Sequence, residues 1–372
     1  MALNKISDLF DPSWHLSGKR PFLISGPCSA ETEFQTLETA RRLAKTNKIH
    51  IFRSGIWKPR TRPGAFEGVG ARGLPWLQEV TKETGLPVMV EVANASHVEM
   101  SLKSGINIFW IGARTTVNPF AVQEIAEALI GTDVTVFIKN PINPDLDLWL
   151  GGTERLINAG IPRIGAIHRG FSYSGEKIFR NRPYWQIAID YKCALPNIPL
   201  INDPSHICGR RDLLAKVAQK AMDLSYDGLM IESHISPDDA WSDAAQQITP
   251  EVYEDLIHHL VIRRTEVDLK AEKDELLRKR KEIDLLDDEL LHILASRMKI
   301  VRDIGVYKKE HNIAILQAER WSEIIQKLVS HGTQQGLSEE FITRFIKTVH
   351  DESIEQQENI MTPAKPNLKD IF

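Results

Sequence analysis

The chain has 372 residues, 26% of them charged and 42% hydrophobic, with a formal net charge of -4. That is an ordinary globular mixture with room for one large domain and a smaller one. The charge excludes a general nucleic-acid binder, three cysteines (Cys28, Cys193, Cys208) exclude a disulfide framework, and no apolar run is long enough to span a membrane.

The opening stretch MALNKISDLFDPSWHL carries acidic residues and no long apolar core, so no signal peptide is expected and a reducing, cytoplasmic setting is the default. Eight short apolar runs follow: FLISG (22–26), IHIFRSG (49–55), PVMVEV (87–92), IFWIGA (108–113), VTVFIKN (134–140), RIGAIHRG (163–170), PLINDPSH (199–206) and GLMIES (228–233). Most are continuously apolar, as in a parallel sheet covered on both faces. Helical patterns lie between them at 32–46, 72–84, 95–104, 119–131, 147–160 and 209–225, and Asn118–Pro119 reads as a cap and first turn. The stretch 171–198 is irregular, with space for one short helix. Eight strand–helix units in about 250 residues predict a (β/α)8 barrel. A doubly wound sheet would place a Gly-rich phosphate loop after the first strand, and SGPCSAE is not one.

The texture changes after residue 262. Leu276, Leu277, Ile283, Leu286, Leu290, Ile293, Leu294 and Val301 recur at helical spacing in a segment without proline, which predicts a long amphipathic helix. Two more helices are expected at 312–330 and 338–358, the last with Ser338 as N-cap. Three such helices make a poor isolated monomer and normally pair with a copy of themselves or pack on the barrel.

Functional residues of a barrel belong at the carboxyl ends of its strands. There the sequence offers Cys28, His206, Glu232 and Asp243: a thiolate, an imidazole and two carboxylates. Converging, they would hold a divalent ion of the Mn, Fe, Co or Zn class rather than Mg alone. Cations accompany them. Arg53, Lys58 and Arg60 follow the second strand, Arg114 ends the fourth, Lys139 the fifth and Arg169 the sixth, while Glu91 ends the third. Such a mouth suits multiply anionic small molecules.

KPRT (58–61), GPCS (26–29), DPSH (203–206), IESH (231–234) and SDAAQQ (242–247) together resemble the 3-deoxy-D-arabino-heptulosonate 7-phosphate (DAHP) synthases. The likeness is to the short class related to 3-deoxy-D-manno-octulosonate 8-phosphate synthase and covers most of residues 20–260. It implies condensation of phosphoenolpyruvate with erythrose 4-phosphate and water. KPRT separates this reading from an octulosonate synthase with a non-catalytic helical appendage, because those enzymes carry an Asn-containing loop there. The resemblance makes Cys28, His206, Glu232 and Asp243 metal ligands, and Arg53, Lys58, Arg114, Lys139 and Arg169 a phosphoenolpyruvate cradle. Lys58, Pro59, Arg60 and Thr61 become the aldose-phosphate loop, and the metal and Lys58 polarise the aldehyde. The proton chemistry of the added water stays open between a metal-bound water, Glu91 and His206. One departure is His168, where the family commonly has Glu.

The C-terminal residues Arg280, Arg297, Lys308, Arg320, Ser353 and Gln357 resemble the all-helical chorismate mutases, which dimerise into intertwined sites and turn chorismate into prephenate. The resemblance makes Arg297 and Arg320 carboxylate partners from one chain, and Arg280 a partner donated by the second subunit. Lys308 and Gln357 become donors to the ether oxygen and Ser353 a hydroxyl contact. Gln317 and Trp321 depart from the family's Asp and Glu. The expected organisation is a synthase barrel over 1–262, a charged linker over 263–275, a mutase over 276–358 and a tail over 359–372. A homodimer through the mutase region is expected, with prephenate a candidate feedback ligand of the synthase.

Overall fold

The structure is a computed structural model and describes residues 20–58, 64, 66–264 and 270–361, without the side chains of 318 and 319. Pro59, Arg60 and Thr61, residues 265–269 of the expected linker and the tail beyond 361 lie outside the described residues. The chain divides into two compact units, Met1–Thr265 and Glu266–Phe372.

The first unit is a closed parallel barrel whose eight strands neighbour one another in chain order. They are β1 (Phe22–Gly26), β2 (Ile51–Arg53), β3 (Val88–Val92), β4 (Ile108–Ile111), β5 (Thr135–Lys139), β6 (Arg163–His168), β7 (Leu200–Asn202) and β8 (Gly228–Glu232). The helices are α1 (Glu33–Lys45), α2 (Leu74–Thr84), α3 (Ala95–Lys103), α4 (Ala113–Thr116), α5 (Pro119–Ala128), α6 (Leu146–Asn158), α7 (Trp185–Ala194), α8 (Pro204–Cys208), α9 (Leu214–Asp223) and α10 (Pro250–His258). Polar residues set where several begin. Thr32, Asn94, Asn118 and Asp145 each accept a backbone N–H from the first turn of α1, α3, α5 and α6. Helix α10 was not expected from the sequence.

Strand alternation sorts the side chains. One set, including Phe52, Val90, Phe109, Val136, Ala166 and Leu229, packs under the helices. The other, Phe22, Ile24, Ile51, Met89, Ile108, Trp110, Phe137, Ile167, Ile201 and Met230, fills the barrel interior. Two residues beyond an interior position, the chain points again at the barrel axis. Ile51 is thus followed by Arg53, Met89 by Glu91, Phe137 by Lys139, Ile167 by Arg169, Ile201 by Asp203 and Met230 by Glu232. The polar layer is the topmost layer of the same stack. At Gly26 the backbone has φ +146 and a Cβ would overlap the carbonyl of Arg53, so only glycine lets β1 and β2 approach here.

Two sequence assignments need correction. His206 does not close the seventh strand, which ends at Asn202; DPSH folds as the first turn of α8, capped by Asp203. Arg114 likewise stands on α4 and not on the fourth strand.

The second unit is α11 (Lys270–Glu310), α12 (Ala318–Gln334) and α13 (Glu339–Met361). The middle helix starts six residues later than expected, because residues 311–317 form a turn with Asn312 at φ +54. Ser338 accepts the N–H of Phe341 as the cap of α13.

Candidate active sites and metal centre

At the carboxyl end of the barrel, Cys28, Lys58, Glu91, Arg114, Lys139, Arg169, His206 and Asp243 line one narrow cleft. Arg53 and Glu232 are buried beneath it and paired, Nη1 to Oε1 at 2.9 Å. The other Arg53 terminal nitrogen donates to the carbonyl of Cys28, and the guanidinium lies 4.7 Å over the Trp110 ring. Gly55 and Gly112 leave room for two of the cleft's side chains, since a Cβ at either would collide with Lys58 or Glu91. Lys58 Nζ is 3.8 Å from Glu91.

The donor atoms of Cys28, Glu232 and Asp243 lie within 4.8 Å of one another. His206 Nε2 stands 3.8 Å from Glu232 and 4.0 Å from Asp243. Their chemistry fits a divalent cation. Burial and the neighbouring Glu232 push the Cys28 thiol up to about 12, a cost that a metal in contact with sulfur reverses. Burial favours the neutral carboxyl of Asp243, but His206, Arg180 and Lys58 outweigh it and hold this group well below its usual range. Burial also lowers the His206 pKa, favouring the neutral imidazole that ligation requires.

Sequence reasoning did not single out Asp203 or Arg180. Asp203 is fully buried, with Oδ2 at 2.9 Å from Lys139 Nζ and 2.8 Å from His206 Nδ1, the latter off the hydrogen-bond line. Strand parity from Ile201 would have found it. Arg180 comes from the irregular stretch, which carried no signal, and reaches Asp243 at 3.0 Å. Arg169 is buried, and burial pushes its guanidinium down to about 10, with Arg180 and Arg114 adding to the shift. Converging cations of this kind are an anion site.

His168 has the opposite strand parity and faces the helices. Its ring sits among Trp149, Phe171, Trp185 and Tyr226, donating from Nε2 to the carbonyl of Pro183 and accepting at Nδ1 from the Tyr226 hydroxyl. The departure from the family pattern therefore lies behind the strand, not in the cleft. Burial pushes its pKa from 6.5 down to about 4. Between those values the unfolded chain binds a proton that the folded chain refuses. Stability is then full above pH 6.5 and falls on acidification, by about 3 kcal/mol once pH 4 is reached. Urea unfolding from pH 7 to 4.5 is expected to show a shallower pH slope in His168→Gln than in the intact protein; equal slopes contradict this assignment.

In the helical unit, Arg297 Nη1 donates to Ser353 Oγ at 2.6 Å, and Gln357 Nε2 donates to the Ser353 carbonyl at 3.2 Å. Gln357 Oε1 is buried without a partner. Lys308 Nζ donates to the carbonyl of Ile315 at 2.6 Å. Gly305, one turn before Lys308, packs against Gln357. Arg320 pairs with Glu323 on the exposed side of α12. Arg280 precedes Arg297 by 17 residues on one helix, about 25 Å along its axis, so the two cannot meet on one ligand within a chain. Trp321 packs against His350 with the rings tilted by 31° and their centres 3.8 Å apart.

Comparison with known proteins agrees with both halves. Residues 15–267 match the DAHP synthetase I family and residues 279–358 match chorismate mutase type II. Phospho-2-dehydro-3-deoxyheptonate aldolase of Thermotoga maritima is 30% identical over 244 residues, covering 64% of this chain and 68% of that protein. The 2-dehydro-3-deoxyphosphooctonate aldolase of Desulfotalea psychrophila is 26% identical over 274 residues, 68% of this chain and 92% of its own length. The crystal structure of the Thermotoga maritima enzyme superimposes with a TM-score of 0.57 at 27% identity, over 64% of this chain and 67% of that one. Given the barrel, its polar layer and these likenesses, the chain belongs to the DAHP synthetase I family and carries a chorismate mutase type II domain over residues 279–358.

Proposed function

We propose that the barrel condenses phosphoenolpyruvate with erythrose 4-phosphate and water to give DAHP and phosphate, and that the helical domain rearranges chorismate to prephenate. The observation that carries the first reading is the layer of Lys139, Arg169 and Lys58 turned onto one cleft beside the Cys28, His206, Glu232 and Asp243 cluster. Phosphoenolpyruvate lies on Lys139, Arg169 and Arg114, which hold carboxylate and phosphate in register. Arg53, with both terminal nitrogens engaged, acts through its field rather than by contact. Lys58 reaches the aldehyde of the second substrate and donates to its oxygen as negative charge develops there. Pro59, Arg60 and Thr61, by the motif they share with Lys58, bind the aldose phosphate. Asp203 positions Lys139 and His206. A divalent ion of the Mn, Fe, Co or Zn class, when held by the four ligands, supplies Lewis acidity toward the aldehyde.

Within the helical domain Arg297, Lys308, Ser353 and Gln357 clamp the chorismate dianion, with Arg320 on the next helix. Leu276, Ile283, Leu286, Leu290 and Ile293 recur at three-, four- and seven-residue spacing along α11 and are exposed in the single chain, an apolar stripe that a second copy covers. In that dimer Arg280 serves the partner's site.

Substrate choice tests the synthase reading. Erythrose 4-phosphate is expected to be used better than arabinose 5-phosphate by about 100-fold or more in kcat/KM, since the loop excludes or misplaces the longer sugar. The reverse preference would make the chain an octulosonate synthase. Prephenate is proposed to lower the synthase rate by favouring a barrel state with poorer substrate access. Residues 261–263 are tied to α9 through Gln219–Val261 and Arg263–Asp223 contacts, so a chain ending at Arg264 keeps the barrel's last contacts. That shorter chain is expected to lose prephenate sensitivity. Equal sensitivity in both forms, or none in the intact protein, defeats the regulatory reading.

A further inference from the structure

The segment after Asp243 has a use that the substrate chemistry leaves unassigned. It runs beside the end of β8 as a one-residue parallel extension, Ser233 opposite Ile248. Ile248 N donates to the Glu232 carbonyl at 3.1 Å and His234 N donates to the Ile248 carbonyl at 2.9 Å. Two consecutive glutamines precede this anchor. Both are buried, at 1% exposure for Gln246 and none for Gln247, an unusual expenditure of side-chain entropy and desolvation unless their amides are used.

Gln246 turns toward the two carboxylates. Its Nε2 donates to Glu232 Oε2 at 2.6 Å and lies 3.5 Å from Asp243 Oδ2. Its Oε1 accepts from Arg180 at 2.7 Å, which fixes which end of the amide is the donor. Gln247 turns the other way, toward the loop after β1. Its Oε1 accepts the backbone N–H of Cys28 at 2.9 Å, and its Nε2 donates to the carbonyl of Ser242 at 2.8 Å. One amide thus joins the residue bearing the thiol to the residue just before Asp243. Two further links close the same seam: Ser29 and Ser242 share a hydroxyl hydrogen bond at 2.7 Å, and Trp241 N donates to Glu31 at 2.7 Å.

We propose that Gln246 and Gln247 form a clasp that sets the spacing of the thiol-bearing loop and the two carboxylates, and thereby the metal affinity of the barrel. Both are positioning residues: neither amide serves as a ligand. The inference rests on the metal reading of Cys28, His206, Glu232 and Asp243 and adds what holds them at ligand distance. Without Gln247 the loop after β1 keeps its serine and glutamate links and the bonds to the Cys28 carbonyl, but loses the acceptor of the Cys28 N–H. Without Gln246, Glu232 keeps Arg53 but is free to turn its second oxygen.

The test measures metal binding directly. Cobalt(II) is titrated into metal-stripped intact protein, Gln247→Leu, Gln247→Glu and Gln246→Leu, with affinity from chelator competition and sulfur ligation from the thiolate-to-cobalt absorption band. Gln247→Leu is expected to weaken cobalt binding about 10- to 100-fold and to diminish the thiolate band. Gln247→Glu keeps the acceptor for Cys28 N and is expected to fall between Leu and the intact protein. Gln246→Leu is expected to weaken binding while retaining the thiolate band, since only the carboxylates are released. Melting of the metal-free forms checks that each variant is folded, and Gln247→Glu is the informative variant if Gln247→Leu is not. Cobalt bound by both Leu variants as tightly as by the intact protein, with unchanged bands, overturns the clasp. Failure of the intact protein itself to bind cobalt overturns the metal reading instead.

Discussion

Cys28→Ala is expected to lose bound metal and synthase turnover together, with turnover down about 1000-fold or more. The cluster places the thiol within ligand reach of two carboxylates in a fully buried position. A Lewis acid held there would contribute several kcal/mol to the transition state, and each ~1.4 kcal/mol is tenfold in rate, so the expected loss spans orders of magnitude. Cys28→Ser keeps an oxygen donor but not a soft one, and is expected to retain weak, metal-dependent activity. Cys208→Ala is the control. That thiol is also raised to about 12, chiefly by burial, but it packs in the outer hydrophobic core. Its loss is expected to leave metal content unchanged. Metal analysis and phosphate release, measured before and after chelation, decide the matter: full activity in rigorously metal-free protein defeats the assignment.

Arg297→Ala is expected to reduce chorismate turnover by roughly 2–5 kcal/mol, which is about 30- to several-thousand-fold in kcat/KM. The reaction is a rearrangement within one bound dianion. Catalysis therefore reduces to holding the reactive pose and stabilising charge on the breaking ether bond. Arg297 is half-buried and already oriented by Ser353, so its charge is in place before substrate arrives. Lysine is expected to be a poor substitute, because a point charge does not reproduce the planar fork. Arg302, five residues along the same helix, is exposed and bonds Gln356 at 3.2 Å; its removal is expected to leave the rate nearly unchanged. Unchanged turnover in Arg297→Ala removes it from the clamp.

The sequence made the barrel legible because its strands are buried on both faces and read as continuous apolar runs, with eight of them at regular spacing. The polar layer was legible for a related reason: Arg53, Glu91, Lys139 and Glu232 each follow an interior residue by two positions. His206 was singled out as the close of the seventh strand, but strand position does not place it: its capping Asp203 starts a helical turn that carries the imidazole. Arg180 was hidden for lack of any periodicity in 171–184, where the fold is set by contacts such as Phe171 with Arg182. His168 illustrates the value of parity. Adjacent to Arg169 in sequence, it faces the other side of the strand and belongs to an aromatic core. In the helical unit the apolar periodicity gave the helices but not their partner. Leu286 and Ile293 read as core residues and are exposed in a single chain, which the proposed pairing with a second copy would account for.

The most direct measurement assays both reactions on the intact chain and on a chain ending at Arg264. DAHP formation is followed from phosphoenolpyruvate and erythrose 4-phosphate, and prephenate formation from chorismate. The intact chain is predicted to perform both with metal supplied. The shorter chain is predicted to retain DAHP formation and to lose all chorismate turnover. An intact, folded and metal-loaded chain that fails either reaction, or a shorter chain that still converts chorismate, contradicts the account.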